Sequence, residues 1–156
     1  MKKRVLFVCI HNSARSQIAE ELLRKYAGDV FEVQSAGFEP KEINPFAIEV
    51  LKEEGIDISG KETNSLFEFF KQGKRFNYVI TVCDEGNAQK CPIFSGLDYR
   101  IHWSFEDPST FTGSDEEKLT KIREVKKHIE KEVLALIELI KNNQLKDNFP
   151  THWTMN

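Results

Sequence analysis

The chain alternates between short apolar runs and amphipathic stretches, and this alternation limits its fold more than any other feature. Residues 4–9 form an apolar, β-branched and aromatic run typical of a buried parallel strand, and residues 15–27 then place apolar side chains at helical spacing. The alternation predicts a three-layer α/β sandwich, in which helices cover a parallel sheet. The predicted strands are 4–9, 31–35, 76–82 and 99–103, and the predicted helices are 15–27, 45–54, 65–72 and 115–141.

Local signals mark the ends of two of these helices. Gly28 follows the first helix, and we expect it to stop that helix in a left-handed conformation. Ser114 and Glu117 have the spacing of a capping box at the start of the last helix, whose apolar residues then recur at three- and four-residue steps.

Length and composition indicate one domain and a short tail. The 156 residues, 40% of them hydrophobic, suffice for a single core, which we expect over residues 1–141. Residues 142–156 form a C-terminal tail without periodicity, which we expect to dock through Trp153. The formal charge of −3 and the scattered Lys and Arg residues argue against nucleic acid as a partner. The chain shows no signal sequence or membrane-spanning run, so we expect a cytoplasmic monomer.

The segment between the first strand and the first helix combines a thiol, backbone amides and a guanidinium. Unpaired N–H groups and the dipole at a helix amino terminus favour an anion there, and Arg15 adds a two-pronged grip. The same field favours the thiolate form of Cys9, which is the nucleophilic form. The alternative is a cysteine buried only for packing, but the strand before it and the helix after it favour a nucleophile. The predicted oxyanion-binding residues are Ile10, His11, Asn12, Ser13, Ala14, Arg15 and Ser16.

The pattern Cys-(x)5-Arg-Ser at the end of the first strand resembles the signature of the low-molecular-weight tyrosine phosphatase family. The resemblance covers residues 4–141 and implies a four-stranded parallel sheet of order 2-1-3-4, with Cys9 as the nucleophile. It also implies that Asp107, in the pair Asp107-Pro108, is the general acid that protonates the leaving oxygen. The alternatives are a simple turn at this pair and Glu106 as the acid.

Two departures from the phosphatase pattern bring the chain closer to one branch of this fold. Position 14 is Ala, where the phosphatases usually have a second Cys, and Ser109 follows Asp-Pro, where they have aromatic residues. Cys83 and Cys91 instead flank a short segment directly after the third predicted strand. This arrangement resembles the thioredoxin-coupled arsenate reductases.

The resemblance implies a thiol relay. Cys9 attacks arsenate, Cys83 then attacks Cys9 so that arsenite leaves, and Cys91 resolves the disulfide, which thioredoxin reduces. Thiols must provide the two electrons, because no motif indicates a tightly bound cofactor. The alternative function is a low-molecular-weight protein tyrosine phosphatase that hydrolyses phosphomonoesters through a Cys9 phosphocysteine.

Two other interpretations of the thiols are weaker. A zinc site built from Cys83, Cys91 and His102 or His11 has no common zinc-ligand spacing. An oxyanion or arsenite sensor would have no need of Arg15 or Asp107.

The resemblance also bears on a metal. In some arsenate reductases of this type a potassium ion lies beneath the loop, and the matching residues here are Asn12, Glu20 and Ser35.

Overall fold

A five-stranded sheet lies at the centre of the molecule, in a computed structural model that describes residues 2–83 and 85–155. Its order is β2-β1-β3-β4-β5, and the first four strands are parallel, which confirms the predicted order 2-1-3-4. The strands are β1 (Lys3–Cys9), β2 (Phe31–Gly37), β3 (Tyr78–Thr81), β4 (Tyr99–His102) and β5 (Thr154–Met155).

The fifth strand corrects the predicted count of four. β5 belongs to the C-terminal tail and pairs antiparallel with β4, with His102 opposite Thr154. Two residues are too few to show the alternation that identifies a strand, so the sequence carried no signal for β5.

Five helices surround the sheet in the described part of the chain. They are α1 (Arg15–Ala27), α2 (Pro45–Lys52), α3 (Leu66–Lys71), α4 (Glu85–Ala88) and α5 (Asp115–Lys141). The predicted bounds of α1 and α5 are confirmed, as is the capping box of Ser114 and Glu117. None of the described helices is both long enough and apolar enough to cross a membrane.

The expected left-handed stop at Gly28 is wrong. Gly28 has φ −64° and ψ −15°, which is right-handed helical geometry, and its N–H bonds the carbonyl of Arg24. A Cβ at Gly28 would lie 2.5 Å from that carbonyl oxygen. The glycine is therefore explained by close approach to Arg24 and not by handedness.

Both faces of the sheet are buried, so a ligand can reach the strands only at their ends. Val5 and Phe7 face the core shared with α1, α2 and α5, whereas Leu6 and Val8 face a smaller core beneath α3. Ligands of such open sheets bind beyond the carboxyl ends of the strands. Cys9 ends β1, and the loops after β3 and β4 carry Cys83 and Asp107, so all three residues lie at the same edge of the sheet.

The tail docks through Trp153, as the sequence predicts. Trp153 is buried, its ring centroid lies 5.2 Å from that of Trp103, and its indole N–H donates to Glu132 on α5. His152 bonds the same carboxylate at 2.9 Å. The tail thus supports Trp103, which stands between β4 and the Asp107 loop.

Candidate active site

Cys9 ends β1 and is almost completely buried, and its sulfur has two hydrogen-bond partners. The backbone N–H of Asn12 donates to Cys9 Sγ at 3.1 Å, and the Ser16 hydroxyl lies 2.9 Å from the same atom. The loop thus places a backbone N–H and a hydroxyl group directly beside the sulfur of the candidate nucleophile.

Asn12 holds the loop in shape from the inside. It is fully buried and has φ 54°, a left-handed conformation that Asn adopts more readily than most residues. Its amide NH₂ donates to the hydroxyls of Ser16 at 2.8 Å and Ser35 at 2.9 Å. Its Oδ1 accepts from the backbone N–H of Asn64 at 2.9 Å and from the amide of Gln17 at 3.1 Å. Every polar atom of the Asn12 side chain is thus engaged in fixing the loop.

Gly37, the last residue of β2, lies against the outside of the loop, and we expect Gly37→Ala to displace it. A Cβ there would lie 2.7 Å from the backbone nitrogen of Asn12 and 2.8 Å from backbone atoms of Ile10 and His11. Because a displacement of about 1 Å can cost about 10²-fold in rate, kcat/KM for aryl-phosphate hydrolysis should fall by that order.

A matched control separates displacement of the loop from loss of stability. Gly55→Ala strains a glycine at φ 78° that has no atom near its added Cβ, so it should lower the melting temperature without lowering the hydrolysis rate. Wild-type kcat/KM for Gly37→Ala would contradict the assigned contact.

Arg15 and Asp107 meet at the mouth of the loop. Arg15 is the first residue of α1; its Nη1 donates to the carbonyl of Phe105 at 3.3 Å, and its Nη2 lies 3.6 Å from Asp107 Oδ2. The other oxygen of Asp107 accepts from the N–H of Ser109 at 2.9 Å and caps a 3₁₀ turn, Pro108–Thr110. The turn and the acid are therefore compatible, because they use different oxygens of one carboxyl group.

The surroundings of Asp107 keep its carboxyl group ionised in the free protein. Burial acts to raise its pKa, but the hydrogen bonds from Ser109 and the charges of Arg15 and His11 outweigh burial, so the pKa lies below its ordinary value. An oxyanion bound to Arg15 would add negative charge beside Asp107 and compete for the guanidinium. Both effects raise the pKa of a carboxyl group and favour its protonated form.

A cavity of about 580 Å³ opens above the loop and contains a second thiol. It brings Cys83 together with Arg15 and Asp107, and Glu106 also contributes to the wall. Its lining residues are Ile10, Arg15, Cys83, Ser104, Phe105, Glu106 and Asp107.

Cys91 lies apart from this cavity lining. It is buried in the smaller core beside Phe76 and Phe94, and its carbonyl accepts from Arg100 at 2.8 Å. Burial raises the pKa of the Cys91 thiol to about 11, although the charge of Arg100 acts to lower it. In this state Cys91 is a protonated thiol that is held away from Cys9.

The residues expected to hold potassium lie together but are already occupied by other partners. The Glu20 carboxylate is buried; its Oε1 accepts from Ser35 at 2.5 Å, and its Oε2 accepts from Arg24 at 2.6 Å and Lys61 at 2.8 Å. Asn12 presents its NH₂ group, not its oxygen, to Ser35. Two cationic side chains thus neutralise Glu20, and this donor set does not fit a potassium ion. Among the described residues, no group of three or more His, Cys, Asp or Glu residues could hold a metal ion.

The sequence matches one protein-family model over most of its length. The model for low molecular weight phosphotyrosine protein phosphatases matches residues 4–146. The chain belongs to this family. The match covers the Cys9 loop, both flanking cysteines and Asp107, and it ends before β5.

Within this family, several of the proteins most similar to the chain are arsenate reductases. The chain is 39% identical to the arsenate reductase of Halalkalibacterium halodurans over 137 residues, which is 88% of this chain and 96% of the relative. A solved thioredoxin-dependent arsenate reductase of Corynebacterium glutamicum matches with TM-score 0.69 and 35% identity; the match covers 92% of this chain but 64% of that one. A solved arsenate reductase in the phosphate binding state matches with TM-score 0.69 and 30% identity, covering 88% of this chain and 98% of that one.

Proposed function

We propose that the protein reduces arsenate to arsenite with Cys9 as the nucleophile, Cys83 and Cys91 as a thiol relay, and thioredoxin as the reductant. The observation that carries this proposal is the presence of Cys83 in the same cavity as Arg15 and Asp107. A phosphomonoester hydrolase has no use for a second thiol there, whereas a two-electron reduction without a bound cofactor requires one. The names of the relatives support the same conclusion.

The first step is formation of a thiol–arsenate adduct. The loop amides and Arg15 hold the oxyanion, and the Cys9 thiolate attacks arsenic so that a sulfur–arsenic bond forms and one arsenic–oxygen bond breaks. Asp107 gives its proton to the departing oxygen, which leaves as water. Phosphate and arsenate have the same tetrahedral shape, so the loop should hold either.

The second step transfers the electrons. Cys83, as the thiolate, attacks Cys9 Sγ; a disulfide forms, and the electron pair of the sulfur–arsenic bond stays on arsenic, which leaves as arsenite. Cys91 then attacks Cys83 and releases the Cys9 thiolate, and thioredoxin supplies two electrons and two protons to the Cys83–Cys91 disulfide. Thioredoxin keeps cytoplasmic thiols reduced, so we place the reaction in the cytoplasm.

The attack of Cys91 on Cys83 requires Cys91 to leave the smaller core beneath α3. Disulfide bonding tolerates Cα atoms about 4.4–6.8 Å apart, and a continuous helix from 83 to 91 would hold them about 12 Å apart. The helix α4 spans only Glu85–Ala88, so little regular structure opposes the movement. The bond from Arg100 to the Cys91 carbonyl must break in the process.

The alternative function is hydrolysis of phosphomonoesters through a Cys9 phosphocysteine. The arrangement of Cys9, Arg15 and Asp107 favours it, because these three groups suffice for that reaction. The family model that matches the chain is also named for this activity.

Removal of the acid gives a test of Asp107. We expect Asp107→Asn to slow adduct formation and aryl-phosphate hydrolysis by about 10²–10³-fold, because Asn cannot donate the proton. Since the pKa of Asp107 is lowered in the free protein, kcat/KM of the wild type should fall as pH rises through that low value. The kcat/KM of Asp107→Asn should not show this decrease with rising pH.

Phosphate binding is the control for Asp107→Asn. The anion is held by the loop amides and Arg15, and the variant removes a negative charge that competes for Arg15, so phosphate binding should not weaken. Equal losses in binding and in rate would mean that Asp107 only shapes the loop, and an unchanged rate would give the role of acid to Glu106.

The function itself is tested by measuring arsenite. Reduced protein is mixed with arsenate, thioredoxin, thioredoxin reductase and NADPH, and arsenite is measured against NADPH consumed. We expect one arsenite for each NADPH, and much slower formation when glutathione and glutaredoxin replace thioredoxin. If arsenite is absent while aryl phosphates are hydrolysed briskly, the alternative function is correct.

A further inference from the structure

The C-terminal tail places an indole ring beside the end of β4. Trp153 is 5% exposed, and its ring centroid lies 5.2 Å from that of Trp103. Two polar contacts hold the tail there: the Trp153 indole N–H donates to Glu132 on α5, and His152 Nε2 lies 2.9 Å from the same carboxylate. The match to the phosphatase family ends at residue 146, so nothing in that match accounts for Trp153.

The ring contacts continue from Trp153 to the active-site cavity. Trp103 packs edge-on against Phe105, with ring centroids 6.3 Å apart and planes at 79°. Phe105 lines the active-site cavity together with Arg15 and Asp107, and it also lines a second cavity of about 540 Å³ that Trp103 and Trp153 border. Because Phe105 borders open space in both cavities, its position depends strongly on its contact with Trp103.

The backbone of Phe105 in turn holds the guanidinium of Arg15. Arg15 Nη1 donates to the Phe105 carbonyl at 3.3 Å, and Arg15 Nη2 lies 3.6 Å from Asp107 Oδ2. A planar guanidinium grips an oxyanion with two N–H groups only when its plane is correctly oriented. A shift of Phe105 would therefore change the direction in which Arg15 presents its N–H groups.

We propose that Trp153 is a positioning residue for the oxyanion grip: it packs Trp103 against Phe105, and the Phe105 carbonyl then orients Arg15. Trp153 itself is not among the residues that line the active-site cavity. The inference rests on the proposed function, which assigns the oxyanion to Arg15 and the loop amides. Its test uses phosphate, which the loop should hold under either candidate function.

Phosphate binding to Trp153→Ala tests the inference. We expect the dissociation constant measured by calorimetry to rise about tenfold, because Arg15 keeps its charge but is no longer oriented for a charge-assisted hydrogen bond. KM for aryl-phosphate hydrolysis should rise with it. Phosphate binding within about twofold of the wild type would overturn the inference. Trp153→Leu keeps apolar bulk at this position, so it gives the same test if Trp153→Ala does not fold.

Two controls separate positioning from stability. Trp153→Phe keeps a ring against Trp103 but cannot donate to Glu132, so it should lower the melting temperature and leave phosphate binding within about threefold of the wild type. Leu145→Ala removes a buried side chain of the same tail that lines neither cavity, so it should also lower the melting temperature without weakening phosphate binding. Weakening by either control to the level of Trp153→Ala would mean that Trp153 only supports the fold, and would overturn the inference.

The result for Trp153 is separate from the result for arsenite. If Trp153→Ala binds phosphate weakly while the wild type forms no arsenite with thioredoxin, the positioning role stands and the proposed reduction fails. If the wild type forms arsenite while Trp153→Ala binds phosphate normally, the reduction stands and the positioning role is overturned.

Discussion

Cys9→Ser is expected to abolish arsenite formation and aryl-phosphate hydrolysis together, each by at least about 10⁴-fold. A serine hydroxyl stays protonated at neutral pH and is a much weaker nucleophile than a cysteine sulfur. In the proposed mechanism both activities use this one nucleophile, so they should be lost to the same extent in parallel assays of a single preparation.

Phosphate binding checks that the Cys9→Ser loop is intact. The loop amides and Arg15 remain, so calorimetry should show phosphate binding within a few-fold of the wild type. Hydrolysis that survives in the variant would mean that another group is the nucleophile, and the role assigned to the loop would be wrong.

Cys91→Ser should release one arsenite per protein molecule and then stop. In the proposed relay Cys9 and Cys83 complete the reduction, but without Cys91 no thiol remains to resolve the disulfide between them. Peptide mapping of the stalled protein by mass spectrometry should find Cys9 joined to Cys83. The burst of arsenite should equal the concentration of active protein, measured by titration of Cys9.

Chemical reduction gives the control for Cys91→Ser. Treatment of the stalled protein with dithiothreitol, followed by its removal, should restore one further arsenite per molecule. Many turnovers with thioredoxin and without such treatment would contradict the assigned relay, because Cys83 or Cys9 would then be reduced directly.

Much of the fold could be predicted because its signals are local. Apolar runs and helical periodicity predicted the parallel strands and the bounds of α1 and α5, and strand order followed from the family resemblance. β5 escaped prediction because its two residues gain their structure from pairing with β4. Gly28 was misinterpreted because a glycine after a helix commonly supplies a left-handed stop, whereas here it lies close to the carbonyl of Arg24.

In the candidate site too, the residues that could be predicted have a local signal or a common position at the ends of the strands. Cys9 and Arg15 are six residues apart, and the strand before them and the helix after them made the loop between them predictable. Asp107 and Cys83 come from distant segments, but both follow parallel strands, and the carboxyl ends of those strands meet at one rim.

Contacts between residues that are far apart in the sequence leave no local sequence pattern from which they could be predicted. Lys61 reaches Glu20 across 41 positions, and the backbone of Asn64 reaches Asn12 across 52. Lys61 in particular supplies a positive charge where the resemblance placed potassium. Gly37 likewise contacts the loop only because folding brings the two together.

The most direct test of the thiol relay is arsenite turnover with thioredoxin, thioredoxin reductase and NADPH, compared between the wild type and Cys83→Ser. The relay predicts continuous arsenite formation by the wild type and none by Cys83→Ser, because the adduct on Cys9 would have no thiol to take it apart. Continued turnover by Cys83→Ser would contradict the relay.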